Sequence, residues 1–294
     1  MATGIPTNRT NIELPPEVSS EIIQKTQESS VVMQMARKIN LPGRGLEIPV
    51  ITSDPTAEWV SETDPKPVSN PGLDKKVMTA YKLAVIVPFS NEFRRDVTAL
   101  YNALVGRLPN SLGNQFDATC FGKVSAPGSN FDTFADCNTQ DIGGENTYAG
   151  LVAADADIAA HDGILNGYVI SPKAKSVLLS AVDGNKRPLF INSVAEGAIP
   201  MILGARTLVS KAAYASGDET DVVGIAGDWT QAVYGTVEGV KIDISDQATL
   251  TSGKDTINLF QQNMFAVRAE IELGFRADTN CFNLLTAENA AESE

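Results

Sequence analysis

Histidine is nearly absent from this chain: His161 stands alone among 294 residues. That excludes a multi-histidine zinc site and an HExxH pair, and it leaves one possible histidine base. Cysteine is almost as scarce. Cys120, Cys137 and Cys281 are odd in number and far apart, which fits reduced thiols in a cytoplasmic setting better than a disulfide framework. Positive charge is in deficit, with 23 Lys and Arg against 36 Asp and Glu and a net charge of −13. No general basic surface is therefore expected to grip nucleic acid. No apolar run approaches the roughly 18 residues of a membrane-spanning helix, so no membrane partner is expected. The opening residues MATGIPTNRTNIELPPE lack the charged-then-apolar pattern of a secretory signal. Glycines build no phosphate cradle, because Gly122-Lys123 and Gly253-Lys254 lack the earlier glycine and the following Ser or Thr.

What is present suffices for a real core. Apolar residues make up 43% and charged residues 20%, the range of globular chains, and the length allows one large or two modest domains. The longest amphipathic stretch is Pro88–Lys123. Its apolar side chains Phe93, Val97, Leu100, Tyr101, Leu104, Leu108, Leu112, Phe116 and Cys120 share one helical face. The spacing predicts a helix over 90–121, capped by Ser90, with Glu92 at its positive end and Gly122 as its stop. About 32 residues at roughly 1.5 Å each make a rod of about 48 Å. Pro109 predicts a bend in it.

Ahead of that helix, Glu47–Val87 reads as two strands around a turn-rich tip, Thr63 to Gly72. Val77, Thr79, Tyr81, Leu83, Val85 and Val87 alternate strictly and predict the returning arm. A two-stranded ribbon alone in water is marginal, so the hairpin either folds back on its own domain or lies on a neighbouring subunit. Residues 1–40 are polar and proline-marked, with a short helix possible between Glu17 and Ile39 and the first 15 residues loosely held.

Downstream, Thr147 is placed to cap a helix over Tyr148–His161, and Gly167–Ile170 reads as a buried strand. Ser171-Pro172 opens the next helix and Gly184 closes it. Strands then recur at Met201–Gly204 and Thr207–Val209, making a compact α/β piece. From Asp221 the pattern turns to strands, with a short helix predicted over Asp255–Gln261. Phe265, Val267, Ala269, Ile271, Leu273 and Phe275 then alternate with Ala266, Arg268, Glu270, Glu272 and Gly274, a long strand with one apolar and one charged face. The residues after Thr286 read as a frayed acidic tail.

Little here resembles catalytic machinery. Asp155-x-Asp157 fits a solvated helix face better than a metal site. His161 fits a cation at a helix C-terminus. Arg94 and Arg95 pair with acids or bridge to another subunit. Arg268, Glu270 and Glu272 form the wet or interfacial face of a strand. No cofactor and no metal is expected, and the chain does not read as an enzyme.

The order of parts resembles one family: the major capsid proteins of tailed bacteriophages, with the α+β Hong Kong 97 fold. The resemblance lies in Glu47-Ile48-Pro49-Val50, Ala57 to Glu62, and Tyr81-Lys82-Leu83-Ala84 through Pro88-Phe89-Ser90-Asn91-Glu92. It continues in Gly167 to Ala174, Ile202-Leu203-Gly204, Gly227-Asp228-Trp229 with Tyr234-Gly235, and Phe260 to Glu270. It implies an N-terminal arm (1–40), an E-loop hairpin (47–87), a peripheral domain with the spine helix (88–144 and 222–285), an axial domain (145–221) and a frayed tail (286–294).

The resemblance further implies hexamers and pentamers of identical subunits that close into an icosahedral shell around double-stranded DNA. The shell would be a virion component assembled in the host bacterial cytoplasm. Trp59, Glu62, Lys66, Lys75, Lys76, Arg94 and Arg95 become candidate inter-subunit contacts. Portal and decoration proteins become candidate partners. With Met1 about 45 residues before the hairpin, a separate scaffold protein, or none, is expected. Some family members also cross-link a lysine to an asparagine with a glutamate as proton acceptor. Asn263 and Glu270 match that pair in type and spacing, and Lys66, Lys75 or Lys76 would supply the amine, although both residues also fit plain structure. The alternatives are an encapsulin-like compartment shell with an enzyme cargo, and an α/β cytoplasmic enzyme.

Overall fold

The computed structural model describes residues 24–42, 46–53, 60, 72–92, 97–144, 147–182, 187, 189, 201–217, 220–252 and 255–288. The helices are α1 (24–29), α2 (Val31–Met35), α3 (Val97–Cys120), α4 (Thr147–Ala160) and α5 (Pro172–Ser180). The strands are β1 (Arg37–Asn40), β2 (Leu46–Ser53), β3 (Gly72–Met78), β4 (Tyr81–Ser90), β5 (Asn138–Asp141), β6 (Gly167–Ile170), β7 (Met201–Ile202), β8 (Ala205–Val209), β9 (Thr220–Gly227), β10 (Ala232–Thr236), β11 (Lys241–Ser245), β12 (Thr249–Ser252), β13 (Asp255–Asn258), β14 (Met264–Ala277) and β15 (Phe282–Glu288).

The first sheet is built on β14. Its alternation sends Phe265, Val267, Ala269, Ile271, Leu273 and Phe275 into the core. β4 and β11 pair antiparallel with the same stretch of β14, so they occupy its two edges, and β10 takes the remaining residues up to Ala277. β1 then joins β10 in parallel. Leu108, Leu112, Phe116 and Cys120 of α3 belong to the core over this apolar face, and Phe116 meets Phe275 edge-on with ring centroids 6.2 Å apart.

The second sheet runs β5-β15-β9-β6-β8-β7. It is covered on both faces, which is why β6 is buried at every residue. One face takes α4 and α5 through Leu151, Ile158, Ala174 and Leu178 against Tyr168, Ile170 and Leu285. The other sends Val169, Ile225 and Leu284 into the core of the first sheet. Phe134 links the two, 4.8 Å from Phe282 and 5.3 Å from Phe275 by ring centroid.

Several expectations stand and several are corrected. α5 opens as predicted, with Ser171 Oγ accepting from Ala174 N, but it ends at Ser180, ahead of Gly184. The described part of the long helix is Val97–Cys120. Ser90 is the last residue of β4, because Met264 supplies its strand partner, so it does not cap α3. The helix runs unbroken through Pro109 to Cys120. Residues Asp255–Asn258 are a strand paired with β12, not a helix. Thr286 and Ala287 are not frayed: they are buried in β15, which continues to Glu288 between β5 and β9.

The hairpin is shorter than 47–87. β2 pairs with β3 from Leu46↔Met78 to Ser53↔Gly72, and the alternating run Tyr81–Ser90 belongs instead to the β14 sheet. Nor does a boundary at 221/222 follow the sheets. β9 and β15 share a sheet with β6 and β8, while β10, β11 and β14 lie in the other.

The polar arm is tied down from residue 24 onward. Asp117 of α3 is completely buried, and its carboxylate accepts from Ser30 Oγ (2.5 Å), Val31 N (2.9 Å) and Val32 N (3.2 Å) at the start of α2. These are the N–H groups that a helix cannot satisfy internally. One turn earlier, Gly113 lets the arm close in: a Cβ there would lie 2.3 Å from Ser29 Oγ. Ser29 Oγ itself donates to the Pro109 carbonyl at 3.1 Å. Burial outweighs the three donors and raises the Asp117 carboxyl to about 6.

Candidate assembly surface

The root of the β2–β3 hairpin is fixed to β14. Arg276 Nε donates to the Val77 carbonyl (2.9 Å) and Nη1 to Asp132 Oδ1 (2.6 Å). Lys76 Nζ donates to the Ala277 carbonyl at 3.3 Å. Gly235 and Gly274 face each other across β10 and β14, and the notch they leave holds Leu41 and the fully buried Met78. Beyond this root, β2 and β3 pair only with each other among the described residues.

The outer face of β14 carries the charged half of its alternation. Lys82 on β4 reaches Glu270 (2.8 Å) and Glu272 (3.4 Å), and Arg268 pairs with Asp243 on β11. The hydrogen bond and charge of Lys82 hold the Glu270 carboxyl below its ordinary range, and Glu270 raises Lys82 in return. These pairs are solvent-washed and contribute little to folding. They set the charge pattern that the outer face of this sheet presents.

Among the described residues, the candidate cross-linking residues do not form a site within one chain. Asn263 sits just before β14 in a left-handed turn (φ 54°), where its side-chain oxygen accepts from Asn91 Nδ2 at 2.7 Å. Glu270 lies seven residues further along an extended strand, about 23 Å at roughly 3.3 Å per residue. Glu270 is engaged by Lys82, and the Lys76 amine by a carbonyl of its own chain. Lys75 pairs in register with Pro49 on the hairpin. Trp59, Glu62, Lys66, Arg94 and Arg95 lie outside the described residues.

Groups capable of other chemistry are bound up structurally. His161 Nδ1 lies 2.9 Å from the Asp157 carbonyl, and Asp157 accepts from Asn138. The three cysteines are buried and unpaired; burial pushes Cys137 to about 12 and Cys281 to about 11, far from a reactive thiolate. Among the described residues no group of His, Cys, Asp or Glu is placed to hold a metal.

Sequence reasoning missed the exposed apolar side chains. Ile164, Met201, Leu203, Val209 and Phe260 all face solvent in the single chain. Leu203-Gly204 carried a signal, since a leucine beside a turn glycine has no core to enter.

The described residues thus form two packed sheets, a long helix across one of them and a hairpin whose strands pair only with each other. Residues 11–280 match the model of the phage capsid family, and the chain belongs to that family. It is 30% identical to the probable major capsid protein gp17 of Mycobacterium phage L5, over 95% of this chain and 91% of that protein. A chain solved from Microbacterium phage Oxtober96 superposes with a TM-score of 0.73 at 19% identity, covering 98% of this chain and 96% of that one. One from Mycobacterium phage Adephagia gives 0.70 at 19%, covering 89% and 91%. The α+β fold is thus of the Hong Kong 97 type.

Proposed function

We propose that this chain is a major capsid protein whose copies assemble as hexamers and pentamers into an icosahedral shell around the double-stranded DNA of a phage. The observation that carries this reading is the family match over residues 11–280, together with a fold shared over nearly the whole chain. The hairpin supports it physically: a two-stranded ribbon is marginal in water and gains a partner when it lies on the next subunit. Trp59, Glu62, Lys66, Lys75, Lys76, Arg94 and Arg95 are the contacts proposed for that neighbour.

The acidic chain supports a container that encloses DNA without gripping it, since a net charge of −13 offers few cations to exchange for phosphate counterions. A separate scaffold protein, a portal and decoration proteins complete the proposed assembly, which forms in the host cytoplasm and ends in the virion. The subunit acts through packing, without catalysis.

Negative-stain microscopy of the purified protein tests the proposal. Hollow particles tens of nanometres across are expected, and a stable, monodisperse monomer would sink it. Double-stranded DNA inside particles from infected cells, and not an enzyme cargo, separates a virion shell from a metabolic compartment.

A further inference from the structure

The second sheet has two exposed apolar ends. At one, α4 packs on β5, β15 and β9 and turns Tyr148 and Val152 outward, with Ile164 beyond its C-terminus 75% exposed. At the other, the sheet stops at the β7–β8 hairpin, where Met201 is 61% exposed and Leu203 and Val209 also face solvent. Five strand spacings of roughly 4.8 Å separate β5 from β7, about 24 Å. One copy therefore cannot cover its own patches.

The hairpin tip is built against its own local preference. Ile202 pairs with Ala205, so Leu203 and Gly204 are the two turn residues, with φ of 48° and 80°. That left-handed pair suits Asn-Gly; a leucine there is strained. Nothing surrounds a Cβ placed at Gly204, so the tip stands in the open. A strained, solvent-facing leucine costs stability in the single chain, which a contact with a neighbour would offset. Charge agrees with such a contact. The α4 end exposes Asp155 and Asp162, and the β8 end exposes Arg206 and Lys211.

We infer that the β7–β8 hairpin of one copy docks through Leu203 and Met201 on the exposed face of α4, at Tyr148 and Val152, of the next copy. The two patches differ, so the contact is head-to-tail, and repetition of one rotation closes a ring. This rests on the shell-subunit reading above and adds which surfaces hold a ring together.

A cysteine pair tests it in assembled particles. With Leu203→Cys and Val152→Cys in the same chain, mild oxidation is expected to give a covalent ladder up to five or six subunits on a non-reducing gel. Either single variant should give none, because the three native thiols are buried. Dimers from Leu203→Cys alone would mean a self-symmetric contact and overturn the proposal. So would particles of the double variant without a ladder.

A second variant separates assembly from folding. Leu203→Asn suits the left-handed turn, so the unassembled subunit should unfold at the parental temperature or above, while the concentration for half-assembly rises about tenfold or more. Assembly at the parental concentration would overturn the docking. If the parent chain itself forms no particles, the shell reading falls and this contact falls with it. Parental shells that give neither ladder nor shift overturn the contact alone.

Discussion

Replacing Asp117 by alanine tests whether one buried carboxylate holds the N-terminal arm to the long helix. The carboxylate satisfies Ser30 Oγ and the main-chain N–H groups of Val31 and Val32. Ser30 can find another acceptor, but the two N–H groups cannot turn away. Each buried donor left unsatisfied costs about 1–3 kcal/mol, so the two together cost about 2–6 kcal/mol. Removing a desolvated charge offsets part of that near neutral pH, leaving a net loss of about 3 kcal/mol.

The offset depends on pH in a calculable direction. The folded-state pKa of about 6 lies above the ordinary 3.8, so between those values the folded chain holds a proton that the unfolded chain has released. Stability from this group therefore rises as pH falls through about 6 and levels off near 3.8. Between pH 7.5 and 5 the parent gains about 1.4 kcal/mol that Asp117→Ala lacks, at about 1.36 kcal/mol per pH unit below 6. Urea unfolding of unassembled subunits, followed by tryptophan fluorescence through the buried Trp229, should show the variant's deficit widening on acidification. A deficit under about 0.5 kcal/mol at both pH values, or one that shrinks toward pH 5, refutes the argument.

Gly113→Ala should destabilise by about 1–2 kcal/mol in the same assay, because crowding against Ser29 outweighs the helix preference of alanine; a more stable variant would mean the arm does not sit there. Native shells should take up no thiol-alkylating reagent, while urea-unfolded chain takes up three equivalents per subunit by mass, since all three cysteines are buried. Boiled mature particles should run as a monomer band near 31.3 kDa, given that Glu270 is held by Lys82; a ladder resistant to boiling and reductant would revive cross-linking between Asn263 and a lysine of another subunit. Lys82→Ala should leave the unfolding midpoint of unassembled subunits nearly unchanged, as solvent-washed pairs contribute little, and a large loss would refute that reading of the outer face of β14.

The strongest periodicities were legible in the sequence and the pairings were not. β14 and the cap of α5 are local signals, and both stand where alternation and Ser171-Pro172 placed them. Tyr81–Ser90 alternates in the same way whether its partner is β2 or β14, so its pattern could not choose between them. The same degeneracy hid the sheet to which β9 and β15 belong. Ser90-Asn91-Glu92 reads equally well as a strand end or a helix cap, and Met264 decides it through long-range pairing. Asp117 was missed because an acid in an amphipathic helix normally marks the wet side. Its clue lay in Pro109, Gly113 and Asp117 recurring every four residues beside the apolar stripe, a row that left a groove for the arm. At the candidate site, Met201–Gly204 reads as one strand, whereas Leu203-Gly204 is the turn between β7 and β8; which side chains it leaves in solvent depends on a sheet edge that no local pattern reveals.

The placement of β14 and β15 has a kinetic consequence. These two strands come latest in the described chain, yet β14 is the hub of one sheet and β15 lies between β5 and β9 in the other. On a ribosome, β1, β4, β5 and β9 would all emerge and wait for the strand that joins them. Neither layer can zip until most of the polypeptide has left the exit tunnel, and such distant pairing is slow. Sticky surfaces on incomplete subunits would thus lack a rigid frame to present them, so that ordered growth begins only with finished building blocks.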